Sequence, residues 1–133
     1  MTTPEKLAER GRILLWTAGV TLLLLAPMPG VLEGESLHRF GRLHGDKLVH
    51  LALFFGLARV WLGGRGDRRA APALAIALAA ALYGGLLELV QGAAGRDPEW
   101  GDFAADLAGA LLAWAAWRRS PRARRPPLPG TAL

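Results

Sequence analysis

Four long apolar stretches are set between five polar ones along this chain. Residues 13–32 (ILLWTAGVTLLLLAPMPGVL) run 20 positions without a charge. Residues 48–62 (LVHLALFFGLARVWL) form a shorter apolar stretch, interrupted by His50 and Arg59. Residues 70–87 give 18 uncharged positions, mostly Ala and Leu, and Glu88, Leu89 and Val90 extend them. The fourth stretch, residues 102–117, is apolar apart from Asp102 and Asp106. No stretch alternates with period two, and each is long enough for three or more helical turns, so the pattern predicts four helices. Twenty helical residues reach about 30 Å, the thickness of a bilayer's hydrocarbon. Leu22 to Leu25 leave no polar face on the first helix. The expected fold is therefore an all-α, integral membrane four-helix bundle with spans at about 13–32, 46–62, 70–91 and 102–117.

Residues 1–12 are expected to be a cytoplasmic flank, 13–117 the transmembrane domain, and 118–133 a disordered Arg/Pro-rich cytoplasmic tail. Pro27 and Pro29 are expected to end or kink the first helix. A basic start followed by an apolar run also describes a signal peptide. An uncleaved anchor is the preferred reading, because no A-x-A site follows and further membrane-like segments come later. The second and fourth spans are short, which suits local thinning of the bilayer. Ala73, Ala77, Ala81 and Gly85 recur at spacing four, as do Ala105, Gly109 and Ala113. Such stripes let helices approach closely in lipid, although alanine is also simply frequent here.

Composition agrees with this reading. The 133 residues are 52% hydrophobic and 20% charged, with a mean hydropathy of +0.24. Cysteine is absent, which excludes disulfides, thiolate nucleophiles and Cys-ligated zinc. The net charge of +5 admits nucleic acid or an anionic membrane surface as partner. Its distribution favours the membrane. With the N-terminus inside, Lys6, Arg10, Arg12, Arg65, Arg68, Arg69, Arg118, Arg119, Arg122, Arg124 and Arg125 fall on the cytoplasmic side. Only Arg39, Arg42, Lys47 and Arg96 fall outside. This bias predicts N-in, C-in topology. Trp16, Trp61, Trp114 and Trp117 then sit near the inner interface, where indoles concentrate. Nucleic acid is not expected as a partner, and the oligomeric state is left open.

Apart from Arg59, near the inner end of the second span, the ionisable residues inside the spans gather at one level. Asp46, Lys47 and His50 open the second helix, Glu88 and Gln91 close the third, and Asp102 and Asp106 open the fourth. The i, i+4 pairs Asp46/His50 and Asp102/Asp106 each share a helix face. His50, Glu88 and Asp106 lie about 4.5–6 Å below their outer partners, about one helical turn. They are expected to form an inner layer, with Asp46, Lys47, Gln91 and Asp102 above it and Arg96 in the neighbouring loop. Ionisable groups near a bilayer centre cost roughly 2.5–3.5 kcal/mol each on insertion scales, so a functional site facing the bundle interior is the default reading. A polar network that fixes helix register is the bland alternative. His38 and His44 are expected to be solvated loop residues, and Tyr83 to be packed or to face lipid.

The ordered set Asp46-Lys47-x-x-His50, Glu88-x-x-Gln91, Arg96, then Asp102-x-x-x-Asp106-x-x-Gly109 resembles the VanZ-like family of small bacterial membrane proteins. The resemblance covers about residues 40–117. Position 106 is Asp where many members carry Asn. The resemblance implies a four-helix, multi-pass protein of the bacterial cytoplasmic membrane and a link to teicoplanin resistance. It does not supply a reaction.

Three functions fit these residues. In the first, Asp46, Lys47, His50, Glu88, Gln91, Arg96, Asp102 and Asp106 line an outer-leaflet site that binds or remodels a membrane lipid. Lys47 and Arg96 would then hold a lipid-linked phosphate or pyrophosphate. In the second, His50 with Glu88 or Asp106 forms an acid/base pair on a lipid phosphate. Ser36 and Ser120 are poorly placed as nucleophiles, so water would attack. No cofactor is expected; were a divalent metal bound, His50, Glu88 and Asp106 would be its ligands. In the third, the bundle is a scaffold without a ligand.

Overall fold

The computed structural model describes residues 3–26, 38–63, 69–95 and 99–120, with residues 38–44 as backbone only. It is an all-α four-helix bundle of α1 (Thr3–Leu25), α2 (His38–Gly63), α3 (Ala70–Ala93) and α4 (Trp100–Arg119). The four expected helices are present, and their ends differ from the apolar boundaries. α1 begins at Thr3, within the expected polar flank, because Glu, Lys, Ala, Leu and Arg are all good helix formers whatever their polarity. It ends at Leu25. Ala26 bonds back to the Leu22 carbonyl at 2.8 Å, and Pro27, with no N–H to donate, follows. The apolar part of α1 is thus residues 13–25, and residues 27–32 of the expected span lie outside the described residues.

α2 likewise starts early. His38 and His44 lie on this helix, not in the loop expected for them, since no proline intervenes between 38 and 63 to stop helix propagation. α3 closes on Gly95, whose φ of 88° is the left-handed conformation that glycine supplies at helix ends. α4 carries Asp102 in its first turn and Arg118 and Arg119 in its last, so each charge suits the helix dipole. Arg118 stacks over the Trp114 ring at 4.9 Å. The expected tail lies outside the described residues from 121 onward.

α4 packs most closely on α2 and then on α3, whereas α1 touches only α2 and α3. The core is built from small residues around a few large ones. Ala73, Ala77, Ala80, Ala81, Ala110 and Ala113 are buried beside Phe54, Leu57, Leu62 and Val20. At Gly109 a Cβ would lie 2.3 Å from the Leu51 carbonyl oxygen. The α2 and α4 backbones therefore meet directly, as the spacing-four stripe on α4 predicts. On α3 the stripe continues through the buried Gly84, while Gly85 accommodates the Phe103 ring.

Many of the large aliphatic side chains point outward. Leu15 is 74% exposed, Leu22 71% and Leu82 67%, with Leu14, Leu48, Leu86, Leu89 and Leu112 also exposed. Among the described residues, α3 is the one helix both long and apolar enough to cross a membrane. α2 includes Asp46, Lys47 and Arg59 and α4 Asp102 and Asp106, which interrupts their apolar runs.

Candidate functional site

α2 and α4 run in the same direction with a nearly constant offset. Lys47 meets Asp102 and His50 meets Asp106, 55 and 56 positions apart. This register follows from the Gly109 contact one turn further along, and it stacks the i, i+4 acids of α4 beside the polar residues of α2.

Deepest is the pair His50–Asp106. Nδ1 and Oδ1 are 2.9 Å apart, with side-chain exposures of 4% and 0%. An ionised Asp106 accepts from the Nδ1–H and fixes the ring tautomer, leaving Nε2 with its lone pair. The Asp106 Oδ2 has no hydrogen-bond partner. It lies against Gly84, where a Cβ would sit 2.2 Å from it. Glycine at 84 is thus what allows a carboxylate between α3 and α4.

Above this pair, Lys47 bridges two acids. Its Nζ donates to Asp102 Oδ1 at 3.2 Å and to Glu99 Oε2 at 3.0 Å. The lysine stem lies against Gly101, where a Cβ would be 2.5 Å from Cε. Glu99 lies between the expected third and fourth spans, where no helix face places it beside Lys47. Its placement three residues before Asp102, on the same rim as Lys47, was the available signal. Asp46 and His50 are one turn apart on α2, and Asp46, His50 and Asp102 each offer a ligand atom within 4.8 Å of the others.

Glu88 is buried at the same end of the bundle. Its carboxyl group lies near the start of α4, close to Glu99, Asp102, His50 and Asp106. Glu88 therefore sits where α3 meets the start of α4. It is not among the three residues whose ligand atoms cluster, and neither is Asp106, so the clustered set differs from the His50, Glu88 and Asp106 expected for a metal.

Gln91 turns elsewhere. Its Nε2 donates to the Leu24 carbonyl at 2.6 Å, so it grips the end of α1 and leaves the outer layer to Asp46, Lys47 and Asp102. Tyr83 also faces α1, with its hydroxyl 2.5 Å from Thr21 Oγ1. Arg96 and the side chains of His38 and His44 lie outside the described residues.

No protein-family model matches this chain, and neither a curated protein nor a solved structure matches it.

Proposed function

We propose that the chain is a VanZ-like, multi-pass protein of the bacterial cytoplasmic membrane that binds or remodels lipid-linked envelope components. The polar end of the bundle would face outward, and teicoplanin susceptibility is the phenotype to test. One observation carries the reading: the bundle is apolar outside and ionisable inside. Leucines cover the surface while His50, Glu88, Asp102 and Asp106 are buried at one end. Water as the only solvent would disfavour that distribution, whereas hydrocarbon around the helices favours it. The Lys47 ammonium, at the rim of this end, is the described cation suited to a lipid phosphate. A second reading, an intramembrane acid/base or metal-assisted hydrolase or transferase, draws on the His50–Asp106 pair.

A screen of outer-leaflet lipids against purified wild-type protein and His50→Ala tests the proposal. Retention of a lipid phosphate or pyrophosphate by the wild type, lost in the variant, supports it. Equal retention by both, or none by the wild type, overturns it. Topology is tested separately: in intact cells Asp97→Cys should label with an impermeant thiol reagent and Asp67→Cys should not.

A further inference from the structure

At the mouth of the polar end, two carboxylates and an imidazole converge from two helices. Asp46, His50 and Asp102 have ligand atoms mutually within 4.8 Å; His50 and Asp102 are buried and Asp46 is half-buried. The pairing is built by the α2/α4 register, since Asp46 and His50 share one face of α2 and Asp102 arrives from α4 at the same level.

Partners outside the trio set two of its members. Asp106 takes the His50 Nδ1, which leaves Nε2 for a ligand. Lys47 takes the Asp102 Oδ1, which leaves Oδ2. A carboxylate behind a ligating histidine and a hydrogen bond behind a ligating carboxylate are the usual supports of a metal site. The wholly buried Asp106 stands behind the trio rather than in it: its Oδ1 faces His50, and its Oδ2 lies against Gly84 of α3. Among the described residues, this end buries the carboxylates of Glu88, Asp102 and Asp106, with Asp46 half-buried beside them, against the His50 imidazole and the Lys47 ammonium. Buried charge of one sign calls for a counter-charge.

We propose that Asp46, His50 and Asp102 bind a divalent first-row cation of the Mn²⁺ or Zn²⁺ kind, with Asp106 and Lys47 as positioning residues. One imidazole and two carboxylates suit these ions better than an all-oxygen cage suited to Ca²⁺. Three protein ligands leave coordination positions open towards the half-exposed Asp46, where water or an anionic oxygen can enter. The proposal is independent of the lipid reading, because it concerns the ion alone.

The test uses the full chain, purified in detergent, stripped with chelator and titrated with Mn²⁺ under electron paramagnetic resonance. The expected result is one bound Mn²⁺ per chain, displaced by Zn²⁺, with a ¹⁴N coupling from the imidazole. His50→Ala and Asp102→Asn should each weaken Mn²⁺ binding at least tenfold. Asp106→Asn should weaken it about tenfold, as loss of a supporting partner does. Glu88→Gln should keep the wild-type affinity within about twofold, which separates the trio from the other buried acid. The ¹⁴N coupling is read on the unmutated protein, so it decides the matter even where a variant fails to fold. Absence of that coupling, or Mn²⁺ affinity unchanged in both His50→Ala and Asp102→Asn, would overturn the site.

Discussion

α4 and α1 are held in the bundle by different physics. α4 is inserted between α2 and α3 through Gly109, Ala105, Ala110 and Ala113, close enough for backbone to touch backbone. Among the described residues, its side-chain anchors to α2 are the half-buried Asp102–Lys47 bond and the buried Asp106–His50 bond. α1 buries just Val20 and Leu24 and exposes Leu7, Leu14, Leu15, Leu22 and Leu23. It is fastened instead by polar clasps. Trp61 Nε1 donates to Thr17 Oγ1 at 3.2 Å, the Tyr83 hydroxyl pairs with Thr21, and Gln91 donates to the Leu24 carbonyl. Shape holds α4 and hydrogen bonds hold α1. A contact made by shape fails when an atom is added; a contact made by a clasp fails only when a partner is removed.

The largest effect is expected at Gly109→Ala. The added Cβ meets the Leu51 carbonyl oxygen at 2.3 Å and the Phe55 nitrogen at 3.0 Å. Both are backbone atoms of a helix, so neither can swing aside and α2 and α4 must separate. Destabilisation of about 3 kcal/mol or more, the upper end for overpacking, is expected in thermal or denaturant unfolding in detergent. A loss below about 1 kcal/mol would mean that the two helices are less tightly joined than their backbone contact implies.

Gly84→Ala ranks next. Here the Cβ meets the Asp106 Oδ2 at 2.2 Å and the Phe54 ring at 2.9 Å. A side chain can rotate where a backbone cannot, yet Asp106 is buried and its rotation breaks the bond to His50. A cost of about 2 kcal/mol is expected, from overpacking together with a buried charged pair losing its geometry. Asp106→Ala should remove the larger part of the Gly84→Ala cost, because the obstructing carboxylate is gone and only the Phe54 contact at 2.9 Å remains. Additive losses in that double variant would show that the glycine serves something other than the carboxylate.

The α1 clasps come third. Gln91→Leu leaves the Leu24 carbonyl without its side-chain donor and replaces one interhelical hydrogen bond by apolar contact. About 1 kcal/mol is expected by the same unfolding measurement, in line with single hydrogen bonds in water and between membrane helices. Removing Gln91 and Tyr83 together (Gln91→Leu with Tyr83→Phe) should add rather than couple, since the two grip α1 at separate points. Cooperative loss would make α1 as much a packed element as α4.

This contrast also marks what the sequence could reveal. Four helices and the i, i+4 pairs Asp46/His50 and Asp102/Asp106 were legible, because apolar block length and the 3.6-residue period are local properties. Helix ends were less so. The apolar block marks where burial changes, whereas helix continues wherever propensity allows, hence the early starts at Thr3 and His38. The direction of a side chain around its helix was legible only to within a face. Glu88 and Gln91, at i and i+3, both close α3, yet Glu88 lies near the start of α4 while Gln91 reaches the end of α1. A bundle gives each helix two neighbours, and one-dimensional spacing does not say where one neighbour ends and the next begins. Glu99 shows the same limit from the other side: its role depends on Lys47, 52 positions away.

Gly56→Ala is the smallest effect and sharpens the comparison most. The new Cβ meets the Trp16 ring at 2.7 Å, a distance between those at Gly109 and Gly84 and an ordinary contact. Distance alone would therefore rank it with them. The obstructing atoms differ in kind: Trp16 is 39% exposed, sits on the clasped helix, and borders an apolar groove formed with Leu15, Gly19, Leu23 and Leu53. The ring has room to tilt into that groove, and α1 itself can shift against α2 without disturbing the α2/α4 contact. The expected loss is under about 1 kcal/mol, below the usual range for overpacking a tight core, with the Trp16 fluorescence maximum moving as the indole changes surroundings. Should Gly56→Ala instead cost as much as Gly109→Ala, α1 would be held by shape as α4 is, and the division between the two modes of attachment would fail.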